Sequence, residues 1–164
     1  MLRSNIILPA SITVGAALLT VFDRILKWVA LTQWTDRHVE LLPGVQLTFL
    51  LNKGIALSVP LTGTVALVCI LLLFLALLAW LVLTVWRHDW VRSSILGAVL
   101  LGAGSNIVDR FLYGGVVDYL QVVLPSVINL ADVMVVAGIV GLLVLSGRRS
   151  PVSENQPTSR ALGE

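Results

Sequence analysis

The sequence predicts an all-α membrane protein, four transmembrane helices with a small extracytoplasmic sheet, and three observations lead there. Of its 164 residues 57% are hydrophobic and only 12% charged, and the mean hydropathy of +0.96 is far above that of an ordinary soluble domain. Four apolar segments approach the roughly 20 residues that a helix needs to cross a bilayer. Between the first two lies a stretch rich in Val, Leu and Thr, interrupted by the turn pair Pro43-Gly44.

The first segment, about Ile6 to Leu31, follows Arg3 in the manner of a secretory signal. No small-x-small cleavage site follows it, and Asp23 and Lys27 continue the segment, so a retained helix is expected. The second runs from Leu61 to Trp86, the third from Val91 to Leu112 and the fourth from Val127 to Leu145. Arg3, then Arg87 and Arg92, then Arg148 and Arg149 fall on alternate connections. By the positive-inside rule both termini and the short second loop are cytoplasmic, and the connections 32–60 and 110–126 lie outside. Trp80, Trp86 and Trp90 suit an interfacial belt beside the second loop. In the first outer connection Val39–Leu42 and Val45–Leu51 read as two strands around the turn. Residues 1–149 are expected to form one membrane domain, and 150–164, rich in Ser, Pro, Glu and Arg, a disordered cytoplasmic tail.

Composition also excludes several chemistries. A net charge of +2, with the cations beside apolar segments rather than in a stripe, gives no nucleic-acid footprint. The single cysteine, Cys69, cannot form an intrachain disulfide and reads as packing. His38 and His88 fall on opposite sides of the membrane, so no paired-histidine zinc site is expected. Neither histidine is placed to serve Ser58 or Ser105 as a base. Gly102-Ala-Gly104 lacks the third glycine of a dinucleotide loop and lies within an apolar span. No metal or cofactor is expected.

What remains are acids at membrane depth, where an ionised carboxylate is costly and is by default a functional candidate. Asp118 closes Val116-Val-Asp118 in the third connection. Asp132 closes Asn129-Leu-Ala-Asp132 at the head of the fourth segment, where Asn129 and Asp132, three apart, are expected to share a helix face. Two neighbouring carboxylates cannot both ionise cheaply, so one keeps a proton and the other acts as a base, a pair able to activate water without a metal. Asp23 and Lys27, acid first at i,i+4, read as a structural ion pair. In the third segment Ala98, Gly102 and Asn106 form a column ending in Asp109 and Arg110, polar groups that either bridge helices or frame a pocket. Gly114-Gly115 then breaks the helix and turns the chain toward Asp118.

Taken in order, Asp23-x-x-x-Lys27, Asn52-Lys-Gly54-Ile-Ala56-Leu-Ser58, Gly104-Ser-Asn106-Ile-Val-Asp109-Arg110, Gly115-Val-Val-Asp118-Tyr and Asn129-Leu-Ala131-Asp132 resemble the motifs of the bacterial lipoprotein signal peptidases, signal peptidase II. Each motif is weak alone; all five in order, from Asp23 to about Val136, are specific. The resemblance implies a four-helix membrane aspartyl endopeptidase with an extracytoplasmic β-cradle, in the bacterial cytoplasmic (inner) membrane. It implies a diacylglyceryl-modified prolipoprotein as substrate, cut just before the lipidated cysteine. Carried over by motif, Asp118 and Asp132 are the catalytic pair, and Asn106, Asp109, Arg110 and Asn129 frame the pocket or hold the helices. Asn52 and Gly54 belong to the outer-loop motif. A monomer in contact with membrane lipid is expected.

The chain departs from the family pattern at Arg24 (usually Gln), Leu57 (usually Phe), Ser105 (commonly Gly) and Ile128 (commonly Phe), and the segment between Asp118 and Asn129 is short, which bears on how the outer loops hold substrate. The alternative reading is a small proton- or ion-coupled transporter using Asp118, Asp132 and Asp109; it calls for inverted repeats or broken helices, and the sequence displays neither. A third is a noncatalytic membrane partner whose polar residues only hold helices together.

Overall fold

The computed structural model describes residues 4–54, 63–122 and 126–147. Arg3, Arg148, Arg149, Leu57, Ser58, the expected start of the second helix at Leu61 and the 150–164 tail lie outside the described residues. Four helices, α1 (Ser4–Gln33), α2 (Gly63–Trp86), α3 (Trp90–Tyr113) and α4 (Leu130–Gly147), are each long and apolar enough to cross a membrane. Strands β1 (Val39–Leu42), β2 (Val45–Asn52), β3 (Val116–Gln121) and β4 (Val127–Ile128) form one antiparallel sheet in the order β1-β2-β3-β4. The sheet sits where α1 and α3 end and α4 begins, so one end of the bundle is roofed and the α2–α3 turn lies at the other.

Helix α3 is the axis, packing against α1, α2 and α4. On α1 the buried residues Ala16, Asp23, Lys27 and Ala30 recur at spacings of seven, four and three, a single helical stripe. On α4 the stripe is Ala131, Met134, Gly138 and Leu142. Helix α2 leans on α3 and turns Leu72, Leu73, Leu75 and Val82 outward, as an all-round apolar span facing lipid should. The small-residue column of α3 has a packing cause. A β-carbon on Gly102 would stand 2.7 Å from the Ala131 carbonyl oxygen and 3.2 Å from Val135, so α4 crosses at glycine contact distance.

The sheet corrects the sequence reading in two places. The third connection is not a loop; residues 116–121 form β3, whose Asp118, Val117 and Val116 pair with Leu50, Leu51 and Asn52 of β2. Val127 and Ile128 do not open the fourth helix either; they pair with Gln121 and Leu120, and α4 begins at Leu130. The first four residues of β3 are all buried, so the alternation that announces a half-buried strand is missing. Two β-branched residues suit the short β4 better than a helix start. The turn from α3 into β3 uses Gly114 at φ 71, its N–H donating to the Arg110 carbonyl at 3.1 Å. At Gly115 a β-carbon would meet the Asn52 carbonyl oxygen at 3.0 Å.

Gly102→Ala is expected to destabilise the protein by about 1–3 kcal/mol, the scale of overpacking against an immovable group, seen as a lower thermal midpoint in detergent. Gly97→Ala on the same helix, where nothing lies within 4 Å of the added carbon, should leave the midpoint unchanged or raise it.

Candidate active site

Asp118 lies in the middle of β3 and is 1% exposed. Its side chain leaves the strand on the face opposite Val117 and Tyr119, which pack with Ala30 of α1. Two amides hold the carboxylate: Asn52 Nδ2 donates to Oδ2 at 2.9 Å and Asn129 Nδ2 to Oδ1 at 2.6 Å. Asn52 can do so because its own Oδ1 accepts the Gly54 N–H at 3.0 Å, which fixes the amide orientation. Burial pushes the Asp118 carboxyl up to about 6; the Asn52 and Asn129 hydrogen bonds oppose this and the charge of Asp132 adds to it.

Asn129 does not share a face of α4 with Asp132, as its spacing suggested; it precedes the helix and caps it. Its Oδ1 accepts the Asp132 N–H at 2.8 Å while its Nδ2 holds Asp118, so one side chain joins the two acidic segments. The Asp132 carboxylate accepts from Asn106 Nδ2 at 2.7 Å, and Asn106 Oδ1 in turn accepts from Lys27 Nζ at 2.7 Å. Arg110 stands at the same end, its guanidinium donating to the Gly54 carbonyl at 3.1 Å and to the Asn106 carbonyl at 3.3 Å.

Beneath the two acids is a buried ionic cluster. Lys27, with no exposed side-chain surface, lies 3.2 Å from Asp23 Oδ2 and 2.8 Å from Asp109 Oδ2. Asp109 also pairs with Arg24 and accepts the Val117 N–H at 3.2 Å. Ser105 Oγ donates to Asp23 Oδ2 at 2.7 Å, and Asp23 Oδ1 accepts the Tyr119 hydroxyl at 3.0 Å and the Ala131 N–H at 3.2 Å. The i,i+4 pair expected from the sequence therefore exists, but as part of a larger cluster. Asn52, Gly54, Asn106, Arg110 and Asn129 gather around Asp118 and Asp132, whereas Asp109 sits in the ionic cluster with Asp23 and Lys27. Arg24, Ser105 and Tyr119 are participants that the sequence reading did not assign. Arg24 and Ser105 stood out only as departures from a pattern, because their partners lie about 80 residues away in the chain. Among the described residues no group of three or more His, Cys, Asp or Glu side chains is arranged to hold a metal.

The family model described as Signal peptidase (SPase) II matches residues 15–147. The chain belongs to this family. It is 32% identical over 133 residues to a lipoprotein signal peptidase of Syntrophomonas wolfei, the match covering 78% of this chain and 87% of that one. With a lipoprotein signal peptidase of Nostoc punctiforme the identity is 37% over 145 residues, covering 84% and 90%. A bacterial membrane enzyme solved in meso at 2.3 Å superposes with a TM-score of 0.69 over 90% of this chain and 95% of that one. At 20% identity that likeness is one of fold. The signal peptidase II chain is thus a multi-pass bacterial membrane protease, and the transporter reading gains no support.

Lys27→Met is expected to lower stability by about 3–5 kcal/mol, because it leaves Asp23 and Asp109 buried with one shared cation removed. Chemical or thermal unfolding in detergent measures it, and a loss below about 1 kcal/mol, typical of an exposed pair, would contradict the buried cluster.

Proposed function

We propose that this chain is an aspartyl endopeptidase that removes signal peptides from diacylglyceryl-modified prolipoproteins, with Asp118 and Asp132 as the catalytic pair. The observation that carries the reading is the Asn129 side chain, which holds the Asp118 carboxylate with one end and the Asp132 backbone with the other. Asp118, whose carboxyl is held up to about 6, carries the shared proton and polarises the scissile carbonyl by donating to its oxygen. Asp132 lies in the first turn of α4, where the helix N-terminus favours a negative charge, and takes a proton from water as its oxygen attacks the carbonyl carbon. Collapse of the tetrahedral intermediate reverses the roles: the proton on Asp132 goes to the departing amide nitrogen. Asn52, Asn106 and Asn129 hold the carboxylates, Gly54 and Arg110 shape the mouth of the pocket, and Asp23, Lys27 and Asp109 support it from below. Leu50, opposite Asp118 across the sheet and 45% exposed, gives the pair an apolar neighbour suited to a lipid-bearing substrate.

The charge distribution supports one membrane orientation. Arg87 and Arg92 flank the α2–α3 turn, at the end away from the sheet, with Trp86 and Trp90 exposed beside them. The positive-inside rule puts that turn and both termini in the cytoplasm and the acid pair at the extracytoplasmic face. Residues 1–149 make up the membrane domain, 150–164 the cytoplasmic tail, and the enzyme works as a monomer surrounded by lipid.

Asp118→Asn and Asp132→Asn should each lower cleavage at least about 100-fold, the lower range for a general acid or base, while the protein stays folded. A gel-shift assay with a diacylglyceryl-modified prolipoprotein reads this out, with the family's cyclic peptide inhibitor globomycin blocking the wild type. Near-normal turnover by either variant would sink the assignment. The shared proton is lost as pH rises through about 6, so the rate of the cleavage step should fall on that alkaline limb, and a rate that climbs through the same range would reverse the roles given to the acids.

A further inference from the structure

We propose that Tyr119 is a positioning residue whose hydroxyl fixes the spacing of Asp118 and Asp132 by tying β3 to the first turn of α4. The inference rests on the catalytic reading of the two acids. Tyr119 directly follows Asp118 and is 2% exposed, on the face of β3 that meets α1. Its hydroxyl donates to Asp23 Oδ1 at 3.0 Å and accepts the N–H of Leu130, the first residue of α4, at 3.0 Å. The same Asp23 oxygen accepts the N–H of Ala131 at 3.2 Å, and the next residue is Asp132. Two of the N–H groups that a helix start leaves without intrahelical partners are thus taken up by one tyrosine and one aspartate belonging to other elements.

On the opposite face of β3 the Asn129 amide makes the second tie between the same two segments, at 2.6 Å to Asp118 and 2.8 Å from the Asp132 N–H. A single tie leaves a hinge between strand and helix. Two ties, one on each face of the strand, set the angle as well and therefore the separation of the carboxylates. Burial, together with the Asp23 charge beside it, pushes the Tyr119 hydroxyl up from its ordinary value, so it stays a donor across the working pH range. The charges that face the pair are Asp23 and Lys27 from α1 and Arg110 from α3, with Asp109 of α3 behind them beside Arg110 and Lys27. Removing the tie adds or deletes no charge; it takes one donor from Asp23, which keeps its contacts with Ser105, Ala131 and Lys27.

The separation of two coupled acids sets the gap between their apparent pKa values, since closer charges repel more and titrate further apart. Loosening the tie should narrow the pH–rate bell. Tyr119→Phe removes one oxygen atom; kcat should fall about 10- to 100-fold, the scale of a misplaced catalytic group, with KM for the diacylglyceryl prolipoprotein within about twofold and a narrower bell. Because that variant also leaves the Leu130 N–H unpaired, Leu130→Pro and the double variant accompany it. Proline is accepted at the first helical position and has no N–H to orphan. Leu130→Pro alone should narrow the bell, and the double variant should regain stability while kcat stays low and the bell narrow. Thr84→Val, which removes the buried Ser93–Thr84 hydrogen bond (3.1 Å) at the far end of the bundle, should keep the wild-type kcat and bell.

A wild-type kcat and bell in Tyr119→Phe, their recovery in the double variant, or equal narrowing in Thr84→Val would each overturn the positioning role. Asp132→Asn runs beside them. If it cleaves normally, the catalytic reading itself falls; if it is inactive while Tyr119→Phe matches wild type, only the positioning inference does.

Discussion

The Lys27 ammonium is the constraint on which the rest of the site depends. It has no exposed surface and sits between Asp23 and Asp109, so α1 cannot shift against α3 without stranding a charge in a low-dielectric interior, the most expensive error available to a membrane protein. Its third strong partner is the side-chain oxygen of Asn106, Oδ1. Once that oxygen faces Lys27, the amide nitrogen has to face the other way, toward Asp132. A charge in the cluster thereby dictates the orientation of a neutral side chain that touches the proposed catalytic acid.

The same device recurs. Asn52 gives its oxygen to the Gly54 N–H and its nitrogen to Asp118; Asn129 gives its oxygen to the Asp132 N–H and its nitrogen to Asp118. In each case a donor occupies the carbonyl end, which leaves the NH2 as the group presented to a carboxylate. An aspartate in any of these places would add a repelling charge, and a leucine would take a donor away from a carboxylate. Three amides offset part of the desolvation of two acids without a cation among the described residues pairing with either, as the proposed sharing of a proton requires.

Burial is unevenly distributed for a related reason. Helix α2 touches mainly α3 and leaves many of its leucines exposed, whereas α1, α3 and α4 converge at the roofed end, where the buried acids among the described residues lie. Packing between apolar helices gains little from lipid exclusion, so close approach at Gly102 and the polar contacts hold the bundle together. The stability of the fold and the geometry of the site therefore reside in the same few residues.

Hydropathy alone announced four spans, because a helix is the local solution to an unsatisfied backbone in hydrocarbon, and the first β-hairpin was legible from its strand residues and Pro43-Gly44 turn. That Asp118, Asp132 and the asparagines belong together was suggested by the order of their motifs, and the structure brings them together. The strand character of residues 116–121 was not legible, because burial on both faces erases the alternation that marks a strand. Nor was the role of Asn129 as a cap, which depends on β4 ending where α4 begins. Arg24, Ser105 and Tyr119 entered the site only through partners on other elements, and no spacing rule reaches across 80 or more residues. The sequence by itself determined which groups are charged and how many helices must cross the membrane. Tertiary structure alone decided which acid meets which donor, because that choice is settled by the packing of α1, α3, α4 and the sheet around one buried lysine.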